Sequence, residues 1–333
     1  MPDSGLSVNA TGLRRAALLN DLSCFGKCSL TVGLPILASA GVEALPVPTA
    51  LLSTHTGGFE EYTCCELTPE LEKILRHWQS LQLHLDAIAT GYFCSAAQLA
   101  FAARFARAFA ASRPLLLVDP VMGDGGRLYP GFDAAFVEGM RGLCRGAGVI
   151  TPNLTEALLL AGLPGTAQPT AENVQLCLQR LLAAGAQRVV ITGVPRTPQL
   201  AAAFEGTQLV PAAEDGQIGY LCADEQRRFA VWHPVVHTSL HGCGDVFSAA
   251  LLAAALGAPP GGPVGVPPAC ALSRGEAWFR PAVTAAARFT FRCVQATVHE
   301  QYPGHWYGLR LEACLTHGFC AASAPLSAQE EKA

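Results

Sequence analysis

The chain has 333 residues, half of them hydrophobic, and a formal net charge of −4. That length admits one large α/β domain or two ordinary ones, with a core that needs no covalent staples. No basic cluster occurs, which excludes the electrostatic footprint of a nucleic-acid binder, and the charge-free window 246–273 is apolar only as far as Leu256, too short to span a bilayer.

The 13 cysteines are scattered, odd in number and free of CxxC units, the pattern of reduced thiols in a cytoplasmic protein. Residues 1–12 lack the apolar core of a secretory signal and, with 322–333, are expected to be flexible tails.

In chain order, short apolar strand candidates alternate with helix-period segments. Ala16–Leu19 precedes a helix over Cys28–Ser39, and a strand over Val42–Pro48 precedes a helix over Leu71–Leu83. Then come Ala87–Thr90 with Ser95–Ser112, Leu115–Asp119 with Phe132–Cys144, and Val149–Thr151, followed by Glu172–Ala184 and Arg188–Thr192. Such alternation predicts an α/β fold with a central, mostly parallel sheet flanked by helices on both faces. Ser95 with Gln98 has capping-box spacing, and Thr68-Pro69 puts a cap residue before a proline at the first helical position. Extended pieces around Gln217–Cys222 and Arg228–Val236 read as a small antiparallel edge. Helices follow over Asp245–Leu256 and Pro281–His299, separated by a Gly/Pro-rich surface insertion at about 257–275.

In open α/β sheets, ligands bind beyond the carboxyl ends of the strands, so residues just after each strand are the candidates for chemistry. The turn Gly242-Cys243-Gly244-Asp245 opens an apolar helix whose first N–H groups lack helical partners. With the helix dipole, that turn can cradle a phosphate. Read alone it is equally an ordinary helix start capped by Asp245. A helix N-terminus that lowered the Cys243 pKa would also make its thiol sensitive to oxidation.

After another strand, Asp119 and Asp124 sit in a glycine-rich loop with Gly125, Gly126 and Tyr129, and hard oxygens on such a loop suit Mg²⁺ shared with phosphates. Thr151-Pro152-Asn153-Leu154-Thr155-Glu156 places an amide and a carboxylate three apart at a helix start, which is also a bare capping motif. There is no GxxxxGK[ST], so P-loop chemistry is excluded.

The segments NDLSCFGKCSL (20–30), STHTGG (53–58), TGY (90–92), DPVMGDGGRLY (119–129), TPNLTEA (151–157) and HGCGD (241–245) together resemble the pyridoxal/pyridoxamine kinases of the ribokinase-like superfamily. The resemblance runs over residues 14–320, as a single kinase domain. It implies ATP-dependent phosphorylation of the 5′-hydroxymethyl group of a B6 vitamer, with Asp245 as catalytic base and the backbone of Gly242, Cys243 and Gly244 as anion hole. It further implies that Asp21, Thr56 and Tyr92 contact the pyridine ring. Asp119, Asp124, Thr151 and Glu156 are implied to surround Mg²⁺ or another divalent ion. Asp119, Asn153, Glu156, Thr192, Gly193, Val236 and Thr238 are implied to bind ATP, and Gly125, Gly126 and Tyr129 to belong to a loop covering the substrate. A monovalent cation such as K⁺ and a homodimer are carried over with the family. Relatives usually carry threonine or a small residue where Cys243 stands. The rival readings are a hydroxymethylpyrimidine kinase of the same fold and a non-catalytic vitamer-binding protein.

Overall fold

The computed structural model describes residues 9, 12–210, 216–236, 240–257, 278–299 and 305–316. Thr238, most of the insertion, most of 1–12 and all of 322–333 lie outside them.

The elements are β1 (Arg14–Phe25), α1 (Ser29–Ser39), β2 (Val42–Thr54), β3 (Cys64–Glu66), α2 (Thr68–Ser80), β4 (Ala87–Thr90), α3 (Ala96–Ala108) and β5 (Leu115–Val118). They continue with β6 (Gly123–Asp124), β7 (Arg127–Leu128), α4 (Ala134–Cys144), β8 (Val149–Ile150), α5 (Leu154–Leu160), α6 (Ala171–Ala183) and β9 (Arg188–Pro195). The last are α7 (Pro198–Ala203), β10 (Glu205–Gln208), β11 (Gln217–Asp224), β12 (Arg228–Pro234), α8 (Cys243–Leu256), α9 (Phe279–His299) and α10 (Leu311–Leu315).

Ten strands form one sheet in the order β10-β12-β11-β9-β8-β5-β4-β1-β2-β3. The run from β9 to β2 is parallel, while β11 is antiparallel to both β9 and β12, as the expected edge requires. This is the ribokinase-like α/β architecture the sequence implied. One apolar layer, with Leu30, Ile36, Phe247, Leu251 and Phe289, packs α1, α8 and α9 on one face. The other, with Leu71, Leu99, Phe105, Met140 and Leu178, packs α2, α3, α4 and α6 on the opposite face. α8 is apolar nearly all round because it is buried nearly all round.

Three local expectations need correction. β2 does not stop at Pro48 but runs to Thr54. Pro46 and Pro48 oppose Leu18 and Asn20 of β1, whereas β3 covers only Ala50 to Leu52, so the missing proline N–H groups cost no ladder bond on the uncovered side. The Ser95 capping box does not form. Gln98 instead accepts from the Cys94 N–H at 2.9 Å, one residue before the expected cap, and donates to the remote Thr49 carbonyl at 2.8 Å. Thr68 is the first residue of α2 rather than its cap, and its hydroxyl donates to Glu66 at 2.6 Å. The β6–β7 hairpin, α7, β10 and α10 were not expected, being too short to carry a period.

Candidate active site

The strand order reverses at β1, which has β2 on one side and β4 on the other, so a crevice opens beyond the carboxyl ends of these strands. α8 points its N-terminus into it. Gly242 precedes the helix with φ 84°, and a Cβ there would meet the Lys27 carbonyl oxygen at 2.3 Å, so only glycine fits. The Val246 N–H is the first to find a helical partner, the Gly242 carbonyl at 2.9 Å. The N–H groups of Cys243, Gly244 and Asp245 are therefore left for an anion in the cleft of about 900 Å³ that these residues line. Asp245 lies in the first turn and does not cap the helix, which decides between the two readings of this segment.

Asp245 accepts hydrogen bonds from the Ser29 backbone N–H and the Asn20 side chain, but burial and the nearby Asp21 charge outweigh them and push its carboxyl up to about 6. Asp119, just after β5, is buried at the cleft wall, and its carboxyl is raised by burial and by the Asp245 charge. Ser248, one turn into α8, donates to Asp119 Oδ2 at 2.9 Å. With its single proton so used, Ser248 accepts from the Thr151 hydroxyl at 2.9 Å. Ser248 thus ties α8 to the ends of two strands, a role the sequence reading missed because the residue sits inside an apolar run.

Asn153 and Glu156 form a complete capping box at the start of α5. Glu156 accepts from the Asn153 N–H at 2.8 Å and the Met122 N–H at 3.1 Å, which pins the loop after β5 to α5. Burial, then the Asp119 charge, raise its carboxyl well above the usual range. Asn153 donates to the Gly123 carbonyl at 2.8 Å, so its amide is committed to structure before any nucleotide arrives. Among the described residues no three His, Cys, Asp or Glu side chains gather to hold a metal ion by themselves. Two mutually repelling buried carboxylates do fit a hard divalent cation that takes its remaining ligands from phosphates.

Asp124 and Arg127 flank a two-residue turn in which Gly125 and Gly126 have φ 57° and 82°, as the tight primed hairpin demands. Asp124 accepts from the Gly125 N–H at 2.7 Å, and the Gly126 N–H donates to the Thr155 hydroxyl at 2.9 Å. Tyr129 follows, 39% exposed, and lines the cleft with Asp124 and both glycines.

Asp21 is buried and accepts from the Ser23 and Ser29 hydroxyls; burial raises its carboxyl despite them. Tyr92 is held by its N–H on Asn20 Oδ1 at 2.8 Å, which also holds the Asp21 N–H at 3.0 Å. Asn20 thereby sets Asp21, Tyr92 and Asp245 around one point. Thr56 is exposed and is not among the residues that line the cleft. Its neighbour Gly57 passes so close to His241 that a Cβ would meet the ring at 2.6 Å. His55 accepts from the Gly57 N–H at 3.1 Å and donates through Nε2 to the Tyr307 carbonyl at 2.9 Å, neither of which the sequence announced.

At the other end of the cleft lie Thr192, whose N–H donates to the Pro152 carbonyl at 2.9 Å, and Gly193, with φ 69°. Val236 packs against the apolar layer of α8 and α9, and the apolar lining here comes from Pro195, Ile218 and Leu240, which the sequence reading did not select.

Cys243 departs from the expectation for its thiol. Burial and the Asp245 charge push it up to about 11, so the helix N-terminus does not activate it. Cys243→Ala is expected to retain most activity, and the parent thiol to resist iodoacetamide at pH 7.5. A folded but inactive Cys243→Ala would assign the sulfur a role it lacks here.

Residues 34–262 match the phosphomethylpyrimidine kinase family. Pyridoxal kinase PdxY of Pasteurella multocida is 30% identical over 201 residues, covering 57% of this chain and 65% of that enzyme, just under two thirds of its length. A Bacteroides thetaiotaomicron protein described as a phosphomethylpyrimidine kinase, in a crystal form with pyridoxal, is 31% identical. It superposes with a TM-score of 0.76 over 96% of this chain and 98% of its own. Pyridoxal kinase from Lactobacillus plantarum is 29% identical, with a TM-score of 0.74 over 93% of this chain and 97% of its own. No described helix is long and apolar enough to cross a membrane.

Proposed function

Because the chain belongs to the phosphomethylpyrimidine kinase family, we propose that it transfers the γ-phosphoryl group of ATP to the 5′-hydroxymethyl group of pyridoxal, pyridoxamine or pyridoxine. The observation that carries this reading is the Asp245 carboxylate standing beside three unpaired helix N–H groups at the reversal of strand order. The likeness to a Bacteroides protein solved with pyridoxal supports the vitamer as acceptor.

Phosphoryl transfer asks the protein for position and charge stabilisation more than for covalent chemistry. The backbone N–H groups of Gly242, Cys243 and Gly244, with that of Asp245, face the phosphoryl oxygens, and the Asp245 carboxylate orients the hydroxyl and takes its proton. Asn20, Asp21, Thr56 and Tyr92 hold the ring side of the site. Asn153, Thr192, Gly193 and Val236 border the nucleotide, and Thr238, outside the described residues, is assigned to ATP by the family resemblance alone. Asp119 and Glu156 would hold a divalent cation, with Asp124 and Thr151 beside them, and the cation would neutralise phosphate charge. The monovalent cation is assigned no residues. Gly125, Gly126 and Tyr129 cover the acceptor, and the protein acts in the cytoplasm as a homodimer of a single kinase domain spanning 14–320.

ADP release measured with each of the three vitamers and with hydroxymethylpyrimidine tests the reading. Turnover on a vitamer at least ~10-fold above hydroxymethylpyrimidine is expected, and the reverse order would replace the substrate while leaving the reaction.

The raised Asp245 pKa fixes the sign of two pH effects. The base works only when ionised, so kcat/KM is expected to fall as pH drops through about 6. Stability runs the other way. The unfolded carboxyl titrates near 3.8, so between there and about 6 the folded chain keeps a proton that the unfolded chain has released. The ligand-free fold therefore loses stability as pH rises across that window, with Asp119 acting in the same direction. Tm recorded from pH 4 to 8 without ligands should decline toward neutral pH.

A further inference from the structure

The segment 305–316 folds back along α9 in a two-rung ladder. The Arg310 N–H donates to the Thr297 hydroxyl at 2.8 Å, and four residues further on Cys314 meets the thiol of Cys293, four residues earlier in α9. The two rungs keep one spacing on both strands of the ladder because each segment turns about once in four residues. Cys293 is wholly buried, whereas Cys314 is only partly so and can be reached from solvent.

The chemistry around the two sulfurs is asymmetric. The hydrogen bond with Cys293 draws the Cys314 thiol below the usual range; burial opposes it, the charges of Arg292 and Arg310 assist, and that of Glu312 opposes. The Cys293 thiol is raised well above it, first by burial. A solvent-reachable thiol in contact with a wholly buried one is the arrangement of an attacking and a resolving cysteine. In a second thiol contact among the described residues, Cys64 with Cys94, burial pushes Cys94 up to about 12 and no positive charge is among the causes of its shift.

We propose that Cys293 and Cys314 are a hydroperoxide-responsive dithiol that closes to a disulfide and staples the carboxyl-terminal segment to α9. The Cys314 thiolate attacks one oxygen of the peroxide, the O–O bond breaks, and a sulfenic acid forms as the other oxygen leaves, protonated, as water or an alcohol. The Cys293 sulfur then attacks Cys314, the S–S bond forms, and the hydroxyl departs with the Cys293 proton as water. Two electrons pass from the thiols to the peroxide, and nothing further is consumed.

The stapled segment holds the active-site floor. The Tyr307 carbonyl accepts from the Lys27 N–H at 3.1 Å and from His55 at 2.9 Å, and Glu312 pairs with Lys27 at 2.7 Å. Lys27 is the residue against which Gly242 packs. A covalent link at Cys314 therefore fixes the clasp that seats the anion hole.

The protein treated with hydrogen peroxide, alkylated, digested without reductant and read by mass spectrometry is expected to yield a Cys293–Cys314 cross-linked peptide. It should appear at peroxide levels that leave Cys64 and Cys94 alkylatable, disappear with dithiothreitol, and accompany a Tm several degrees higher. Cys314→Ser should lose the cross-link, and the wild-type result stands whether or not that variant folds. The proposal is overturned if Cys314 stays fully alkylatable while exposed Cys24, Cys64 and Cys65 oxidise, or if Cys314 proceeds to sulfinic acid with no cross-link.

Discussion

Asp245→Asn is expected to lower kcat by ~10²- to 10⁴-fold while ATP still binds, a barrier increase of about 3 to 5.5 kcal/mol. The size follows from what the substitution removes and what it leaves. An asparagine keeps the shape of the side chain and one oxygen for the Ser29 N–H and the Asn20 amide, and the three backbone donors of α8 remain in place. What disappears is the acceptor for the substrate proton. The same change removes a negative charge that Asp21 and Asp119 both oppose, so the ligand-free variant should melt at a higher temperature than the parent at pH 8. Loss of turnover together with a gain in Tm is a pairing that a merely structural aspartate would not produce. Turnover within a factor of a few of the parent would remove Asp245 from the chemistry and, with it, the main support for a kinase.

Much of this site is legible in sequence because its parts are local. A glycine pair before an apolar run marks a helix N-terminus, and an aspartate directly after a strand marks a sheet edge, whatever the rest of the chain does. The Asn153–Glu156 capping box was readable for the same reason, although sequence alone left open whether it was structure or nucleotide binding. The structure shows the capping box complete, with Glu156 also carrying the Met122 N–H and both residues lining the cleft. What could not be read depends on partners distant in sequence. Ser248 reaches Asp119 across 129 positions, His55 finds Tyr307 across 252, and Lys27 finds Glu312 across 285. Gln98 shows the converse, a local motif dissolved by a remote carbonyl. β2 outran its prolines because β3 pairs with that side of the strand only from Ala50 to Leu52, beyond Pro46 and Pro48, a fact of sheet order rather than of composition.

Gly242→Ala is expected to cost both stability and turnover, and Gly244→Ala neither in the same way. At Gly242 the backbone is left-handed, which costs an alanine roughly 1–2 kcal/mol, and the new methyl would stand 2.3 Å from the Lys27 carbonyl oxygen. That oxygen cannot yield freely. Lys27 is held by its N–H on Tyr307 and by its ammonium on Glu312, so relief has to come from α8. Displacing the start of α8 moves the Cys243, Gly244 and Asp245 N–H groups and the base together. Turnover should fall at least ~10-fold and stability by about 2–4 kcal/mol, the range of a strained, clashing backbone position. Gly244 is one residue inside the helix with open space where its Cβ would go. Alanine there suits the helix better than glycine by up to about 1 kcal/mol, so Tm should hold or rise. Gly244 nonetheless lines the cleft beside the backbone donors, so its methyl would occupy ligand space and KM for ATP should increase. Tm and KM measured on the two variants side by side separate a glycine needed for the turn from one needed for the ligand. Gly242→Ala with kcat/KM within twofold of the parent would show that α8 adjusts without moving the anion hole.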